Sequence, residues 1–465
     1  MKKVEAYAAD EDDGLSVTRM KIGNLDVNAV NEIVQSVLTT NSAEETLPLA
    51  QVIHARTLGN AFFSLQFIRA LAEDNLIELD MQKKKFTWNL DQVKLTTTAT
   101  ADAVELMQSK LEKLPPTVKS LVRLASALGT TVHTDLFALI EEDLYANKRS
   151  YFPNEKTARA ALENDMSAGD VLAAMVDEGL MYRAEKKAYR WEHDKILEAA
   201  MIPKSKRARI YLHIGEMLQK KLNHIQLDQH LFVIVRLLNE GSKLIPSTNS
   251  QKRVNLAELN LRAGKKSIDH SGFSSAQAYF TMGISMLPSN HGRVYKTLSL
   301  DLFSSAAESE YCIGDVVSME KHCRDVISRP NIPLQEKRRV YTTLMDGLNA
   351  QGKCAETVDL SIEVLGKLGC VIPKRCLIPR ILSGILHMKS IEKRGIAAEL
   401  DKVPPMSDPD KLWAMDILAD LFKYAYLADM PNLVAVVLFK SFQWSIKYGR
   451  SPKVSMFLAQ VGMLA

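Results

Sequence analysis

No apolar run in this sequence is long enough to cross a bilayer. The longest, such as LVAVVLF at 433–439, fall far short of the roughly 20 residues a spanning helix needs. A secretory signal is also missing. Two lysines open the acidic segment MKKVEAYAADEDDG, but no apolar stretch follows them. Cysteine is scarce: the five lie at positions 312, 323, 354, 370 and 376. None forms a CxxC pair, and no His-x-x-x-His or Cys/His cluster accompanies them. That spacing gives no metal site and fits a reduced, cytoplasmic compartment. An excess of one charge is absent too, since 59 basic residues face 55 acidic ones for a net +4. So even a balance does not demand a nucleic acid or an acidic membrane as partner. Glycine (21) and proline (16) are sparse for 465 residues, which leans the chain towards helix. No Ser-His-Asp, Cys-His or paired-carboxylate constellation stands out either.

What is present is a succession of helical patterns. VNAVNEIVQSVL places Val27, Val30, Ile33, Val34 and Leu38 on one stripe. LPLAQVIHART is a second helix, LGNA a break, and FFSLQFIRALAEDNLI a third helix. KKKFTWNL (83–90) reads as a short strand or an extended arm. ADAVELMQSKLEKL (101–114) is helical up to Pro115-Pro116, and TVKSLVRLASALG and HTDLFALIEEDL follow as two more. DVLAAMVDEGL ends in a Gly-Leu stop. After it come two alternating runs, LMYRAE (180–185) and AYRWEH (188–193), around Lys186-Lys187. Three helices followed by a small hairpin is the layout of a winged helix.

Beyond Ile202 the pattern is helical to the end, apart from the Pro- and Asp-rich loop DKVPPMSDPD (401–410). Three segments look alike, each a helix, a turn with glycine and a second helix. Their turn glycines, Gly272, Gly314 and Gly352, are 42 and 38 residues apart, and a similar turn recurs at Asp429. A period near 40 with paired helices reads as an α-solenoid.

One of those turns carries a decoy. GLNAQGKC (347–354) has the G-x-x-x-x-G-K spacing that cradles phosphates. A phosphate loop must leave a buried strand and open a helix, so that backbone N–H groups converge on the anion. Here Val340, Tyr341, Leu344, Met345 and Leu348 precede or enter the motif at helical spacing. Cys354 also stands where a hydroxyl would be needed for Mg²⁺, a hard cation that prefers oxygen. The solenoid turn is the better reading. LFALIEED (136–143) imitates the acid-capped Mg²⁺-binding strand of an ATPase, yet Leu136, Leu139 and Ile140 fit the core face of a helix. The basic stretch PKSKRARIYLHI (203–214), with Lys204, Lys206, Arg207 and Arg209, reads as a solvated helix face rather than a DNA-contacting one. Taken by themselves, His193-Asp194 mark a helix N-terminus, and Gly59-Asn60 a break that starts the next helix.

Taken together, several stretches resemble one family. RTLGNAFFSLQFIRALAEDNLI resembles the helical lid segment of signal-transducing AAA-type ATPases, the STAND class, where the usual pattern is T-x-G-N-P-F-F. YRWEHDKILEAAMIP resembles the end of that family's winged helix, with its His-Asp pair. DKVPPMSDPDKLWAMDIL and SIKYGRSPKVSMFLAQVGMLA resemble the helical-repeat region of large kinase-associated ATPases. In those the order is serine/threonine kinase, AAA-type ATPase, tetratricopeptide-like repeats, GAF domain and histidine kinase. The resemblance runs from about residue 20 to the last residue.

The resemblance implies a nucleotide-linked site made of Gly59, Asn60, His193 and Asp194. His193 would contact the β-phosphate of ADP and hold an off state. Ala61 stands where the family places an adenine-packing proline, a departure at that contact. The phosphate loop and Mg²⁺-binding strand of the family would lie before residue 20, where only the acidic segment stands. The expectation is therefore the middle of a longer protein, a split gene product or a truncated chain, not catalytic by itself and without a cofactor of its own. ATP or ADP would enter if an ATPase core is supplied upstream, and the parent family couples such a core to protein kinase activity.

The expected fold is mainly α. A flexible lead-in (1–20) precedes a helical lid-like segment (21–95), a winged helix with a small β-hairpin (96–202) and an α-solenoid of tetratricopeptide-like helix pairs (203–465). The expected partners are proteins bound by the repeats, with nucleic acid not indicated and no membrane span. Two other readings compete: a stand-alone helical adaptor that binds no nucleotide, and a winged-helix DNA-binding regulator.

Overall fold

The computed structural model describes residues 23–40, 42–82, 84–96, 111–112, 114–151, 167–373, 377–393, 395, 402–453 and 456. The acidic lead-in, most of the expected helix at 101–114 and Cys376 lie outside them. The chain is mainly α-helical, with two small antiparallel sheets among the described residues. It divides into two compact units, Met1–Lys221 and Leu222–Ala465.

In the first unit, α1 (Val27–Val37), α2 (Ala43–Thr57) and α3 (Ala61–Glu73) pack together. The stripe read from the sequence points inward: Val30, Val34 and Leu38 are buried against Leu49, Ile53, Phe67 and Leu71. One buried polar link crosses it, from Thr46 Oγ1 to Asn31 Oδ1 at 2.7 Å. The third helix ends earlier than its apolar pattern suggests. Asn75 adopts a left-handed φ of 55°, and the Leu76 amide closes the end on the Leu71 carbonyl at 2.8 Å. Ile77 therefore opens a strand, β1 (Ile77–Asp80), paired with β2 (Lys85–Trp88) from Ile77–Trp88 to Asp80–Lys85. Within KKKFTWNL, Lys85–Trp88 is thus half of a hairpin whose other half begins at Ile77, the last residue of the helical reading. The short α4 (Leu90–Thr96) follows and adds Val93 to the core.

Next come α5 (Pro116–Ser126), β3 (Thr131–His133), α6 (Thr134–Ala146), α7 (Lys148–Tyr151) and α8 (Ala168–Asp177). The hairpin β4 (Met181–Glu185) and β5 (Ala188–Trp191) follows. β5 is central in the sheet order β3-β5-β4. The three expected helices (α5, α6 and α8) and the hairpin are present, with the short α7 and one strand more, because TVH pairs with the far side of β5. The Trp191 indole donates to the Gly129 carbonyl at 3.0 Å and ties the strand back to the end of α5. LFALIEED is helical: Leu136, Phe137 and Ile140 are fully buried, whereas Leu139 is only half-buried. Then come α9 (Asp194–Ala200) and α10 (Lys204–Lys221). α10 buries Ile210, Tyr211, Ile214 and Leu218 and exposes Lys204, Lys206 and Arg209, so the basic stretch is one side of an amphipathic helix.

The second unit starts with α11 (His224–Gln229) and α12 (Leu231–Gly241). Three helix pairs follow: α13 (Ser250–Asp269) with α14 (Phe273–Met286), then, after the short α15 (His291–Val294), α16 (Lys296–Ile313) with α17 (Val316–Ser328), and α18 (Arg338–Ala350) with α19 (Cys354–Lys367). After α20 (Leu377–Glu392) comes the pair α21 (Pro409–Leu427) and α22 (Pro431–Tyr448).

All four pairs turn by the same device. A left-handed residue ends the first helix: Ser271, Gly314, Gly352 and Asp429, with φ of 58°, 77°, 74° and 53°. The next amide then reaches back five residues: Gly272 to Ser267, Asp315 to Glu310, Lys353 to Leu348 and Met430 to Ala425. These bonds satisfy carbonyls that a helix end would otherwise leave bare. In the first pair the left-handed position falls on Ser271 rather than on Gly272, one residue before the expected glycine. Gly352 is therefore a helix stop, and Gly347 sits inside α18, where an added Cβ would meet Met319 Cε at 2.1 Å. GLNAQGKC is a solenoid turn and no phosphate loop.

Of the expected loop 401–410, residues 402–408 are non-helical and Pro409-Asp410 open α21. Met406 donates to the Arg450 carbonyl at 2.9 Å and Arg450 to the Pro404 carbonyl at 2.8 Å, so the loop is clipped to the end of α22. The core of this part gathers Tyr341, Trp413, Leu418, Tyr424, Val437 and Trp444. Burial pushes the Cys323 and Cys370 thiols up to about 12 each, which makes them packing residues rather than nucleophiles.

Candidate functional site

The Gly-Asn break and the His-Asp pair are 134 residues apart in sequence from Gly59 to His193, and the first unit brings them together through two phenylalanines. Asn60 is the N-cap of α3, its Oδ1 accepting from the Phe63 amide at 3.2 Å. That cap starts the helix at Ala61 and places Phe62 and Phe63 in its first turn. His193 is the N-cap of α9, with extended backbone, and its Nδ1 accepts from the Lys195 amide at 3.0 Å. The imidazole lies against Phe62, with ring centroids 4.7 Å apart and planes 18° from parallel. Phe63 tilts against the same ring at 5.3 Å. Two helix N-termini, those of α3 and α9, are thus joined by one aromatic stack.

The chemistry follows from the cap. A ring nitrogen that accepts an N–H bears no proton, so the neutral His193 ring carries its proton on Nε2. Nε2 has no hydrogen-bond partner among the described residues. The half-buried ring therefore offers one N–H donor, fixed in direction by the stack and the cap. Asp194 is exposed in the first turn of α9, where its charge complements the helix dipole. It takes no part in the stack.

Gly59 and Asn60 are occupied structurally. The Gly59 carbonyl accepts from the Leu25 amide at 2.8 Å, and His54 Nε2 lies 3.1 Å from the Leu25 carbonyl. Ser64 Oγ donates to the Asn60 carbonyl at 2.9 Å and lies 3.0 Å from Thr57 Oγ1. The residues of the T-x-G-N pattern thus hold the turn itself. The structure adds Phe62 and Phe63 to the site. A signal for them exists in the sequence: consecutive helical residues point about 100° apart, so only one of two adjacent aromatics can face the core behind α3. Phe63 is buried and Phe62 half-buried, and His193 serves as the partner of both.

Ala61 is exposed at the first position of α3, and Asn60 before it has φ −70° and ψ 119°, a conformation compatible with a following proline. Ala61→Pro should raise the stability of the first unit by about 0.4–1 kcal/mol, because a first-turn N–H is expendable and the unfolded chain loses freedom. Thermal melting of the two forms checks this; a lower melting temperature for the proline variant would show that the turn is not in the state described.

Among the described residues no group of three or more His, Cys, Asp or Glu is placed to hold a metal ion, and no helix is long and apolar enough to cross a membrane. A separate pocket of about 920 Å³ lies in the second unit, with His291, Arg293, Phe303, Lys321, His322 and Arg329 in its lining. Arg329 sits over the Phe303 ring at 4.3 Å.

No family model matches the chain. It is 23% identical over 395 residues to "Hybrid signal transduction histidine kinase G" of Dictyostelium discoideum, an alignment covering 76% of this chain and 11% of that protein. The chain thus spans about a tenth of the length of this curated relative. Among solved structures it is similar to a signal transduction ATPase with numerous domains (STAND) with a tetratricopeptide repeat sensor from Pyrococcus horikoshii. That match has 12% identity and a TM-score of 0.33 and covers 96% of this chain and 62% of the other.

Proposed function

We propose that this chain is the regulatory and protein-interaction region of a multidomain signal-transduction protein. Its first unit closes over ADP or ATP held by an AAA-type core that another part of the longer protein, or a partner, supplies. The second unit binds a protein and biases that closure. The observation that carries the reading is the stack of His193 on Phe62 and Phe63. It joins the two sequence features that resemble a nucleotide switch, and it leaves one imidazole N–H for a phosphate oxygen. A donor fixed in this way stabilises an anion without having to be ordered on binding. The relation to a signalling histidine kinase supports the signalling context. The solenoid is the natural reader of a partner, since coupling requires an element whose contacts differ between two states.

The DNA-binding reading loses ground on the surface of α8, the third helix of the winged-helix layout. Residues 168–177 contain no lysine or arginine, and Asp170, Asp177 and Glu178 are exposed there. A helix of that charge repels phosphates. The adaptor reading keeps one specific support, the basic pocket beside Phe303, which could receive an acidic partner segment without any nucleotide.

The test uses the full-length protein that contains the ATPase core. His193→Ala should speed ADP release and raise downstream output. The expected loss of ADP affinity is about ten- to a hundredfold, the worth of one charge-assisted hydrogen bond. Unchanged ADP retention and unchanged output would leave His193 as a helix cap and hand the lead to the adaptor.

A further inference from the structure

We propose that α20 is a docking surface for an anionic lipid membrane. The inference rests on the second unit alone and is independent of any nucleotide. α20 packs one side against α22: Ile391 is buried, and an added Cβ at Gly384 would meet Phe439 at 2.4 Å. The opposite side is uncovered by the described residues. Ile378, Leu382, Ile385 and Leu386 recur at i, i+4, i+7 and i+8, which is one stripe of a helix. Ile378 is 64%, Leu382 58% and Leu386 70% exposed. Scattered exposed apolar residues are ordinary; four large ones in a row on one helix face mark a contact surface.

Charge selects the occupant. Lys389 and Lys393 continue the same stripe towards the carboxyl end, and both are exposed. The sequence from 374 to 394 holds six Lys or Arg and one acid, Glu392, in a chain whose net charge is only +4. A second copy of this face would bring like charges together, which opposes self-association. A bilayer with anionic headgroups satisfies both halves of the stripe. The branched aliphatic side chains enter the headgroup–acyl boundary, and the lysines reach the phosphates beside it. The helix lies on such a surface rather than through it, because at 16 residues it is too short to span.

The test is sedimentation of the whole chain with vesicles of phosphatidylcholine alone, or of phosphatidylcholine with a minority of phosphatidylserine, at low and high salt. Binding is expected only to the anionic vesicles and should weaken with salt. Leu382→Glu with Leu386→Glu should abolish it. Lys389→Gln and Lys393→Gln should each weaken it about fivefold. All four positions are exposed, so the melting temperature should stay at the parent value and a loss of binding can be attributed to the surface. Absence of binding to anionic vesicles at low salt would overturn the proposal. So would equal binding to neutral vesicles, or a dimer in light scattering that disappears in the double glutamate variant.

Discussion

Asp143→Ala should destabilise the first unit by about 3 kcal/mol, the largest single effect expected of any polar substitution there. Asp143 is the last acid of LFALIEED, and it is buried on α6 with three donors around it. Tyr151 Oη donates at 2.7 Å and Asn147 Nδ2 at 2.8 Å, while His213 Nε2 lies at 2.7 Å. These partners come from the C-cap of α6, from α7 and from α10, so one carboxylate on α6 joins three helices. Alanine would strand a buried phenol and leave an imidazole facing a void. Burial alone would raise the Asp143 carboxyl, but the bonds from Tyr151, Asn147 and His213 together outweigh it and hold it below the usual range. The contribution is therefore present at neutral pH, above the unfolded carboxyl value of about 3.9, and is lost as pH falls through the lower folded value. The same burial and the facing carboxylate push the Tyr151 phenol well above its ordinary value, so it stays a donor across the accessible range. For a unit of this size the melting temperature should fall by about 6–12 °C. Asp143→Asn should fall less, because one oxygen still accepts. A shift near zero for the alanine variant would mean that the three helices do not meet at this residue.

That carboxylate also marks where sequence reading ends. The amphipathic pattern put Leu136 and Ile140 on the core face of a helix, and both are buried. The same pattern said nothing of Asp143, because its partners His213 and Tyr151 are 70 and 8 residues away and no periodicity connects them. Repeats were easier. Left-handed glycines at Gly314 and Gly352 announce themselves, and the period they set carries over to Asp429, where the side chain differs but the backbone does the same thing. Ser271 escaped because a glycine stood beside it. The strands β1 and β3 were missed for different reasons: the helical pattern of the third helix runs through Ile77, where β1 begins, and β3, at three residues, is too short to show alternation. At the candidate site, Gly59, Asn60 and His193 were visible as helix punctuation. Their proximity was not, since it depends on the aromatic contacts of Phe62 and Phe63 across the unit.

Gly59→Ala carries the second large effect, again about 3 kcal/mol against the first unit, from two additive sources. The backbone there has φ 74°, which costs an L-residue about 1–2 kcal/mol. The added Cβ would also stand 1.9 Å from the Leu25 carbonyl oxygen. That oxygen cannot swing away, because Leu25 is held by its own amide on the Gly59 carbonyl at 2.8 Å and by His54 at 3.1 Å. Relieving the overlap means breaking that clip, worth about 1 kcal/mol for a typical bond. Gly59→Asn separates the two sources. Asparagine tolerates left-handed backbone but brings the same Cβ, so it should recover the backbone part of the loss and keep the part that comes from the overlap with Leu25. The turn also sets where Asn60 caps α3, and hence where Phe62 meets His193. A destabilised turn should therefore disturb the aromatic stack before it disturbs the core of α1 and α2. A single fluorine-labelled phenylalanine at position 62 would report that order: its resonance should change at a lower temperature than the helical circular dichroism in the alanine variant, and together with it in the parent. Coincident transitions in both forms, at the parent temperature, would show that Gly59 is replaceable and that the T-x-G-N pattern serves something other than the turn.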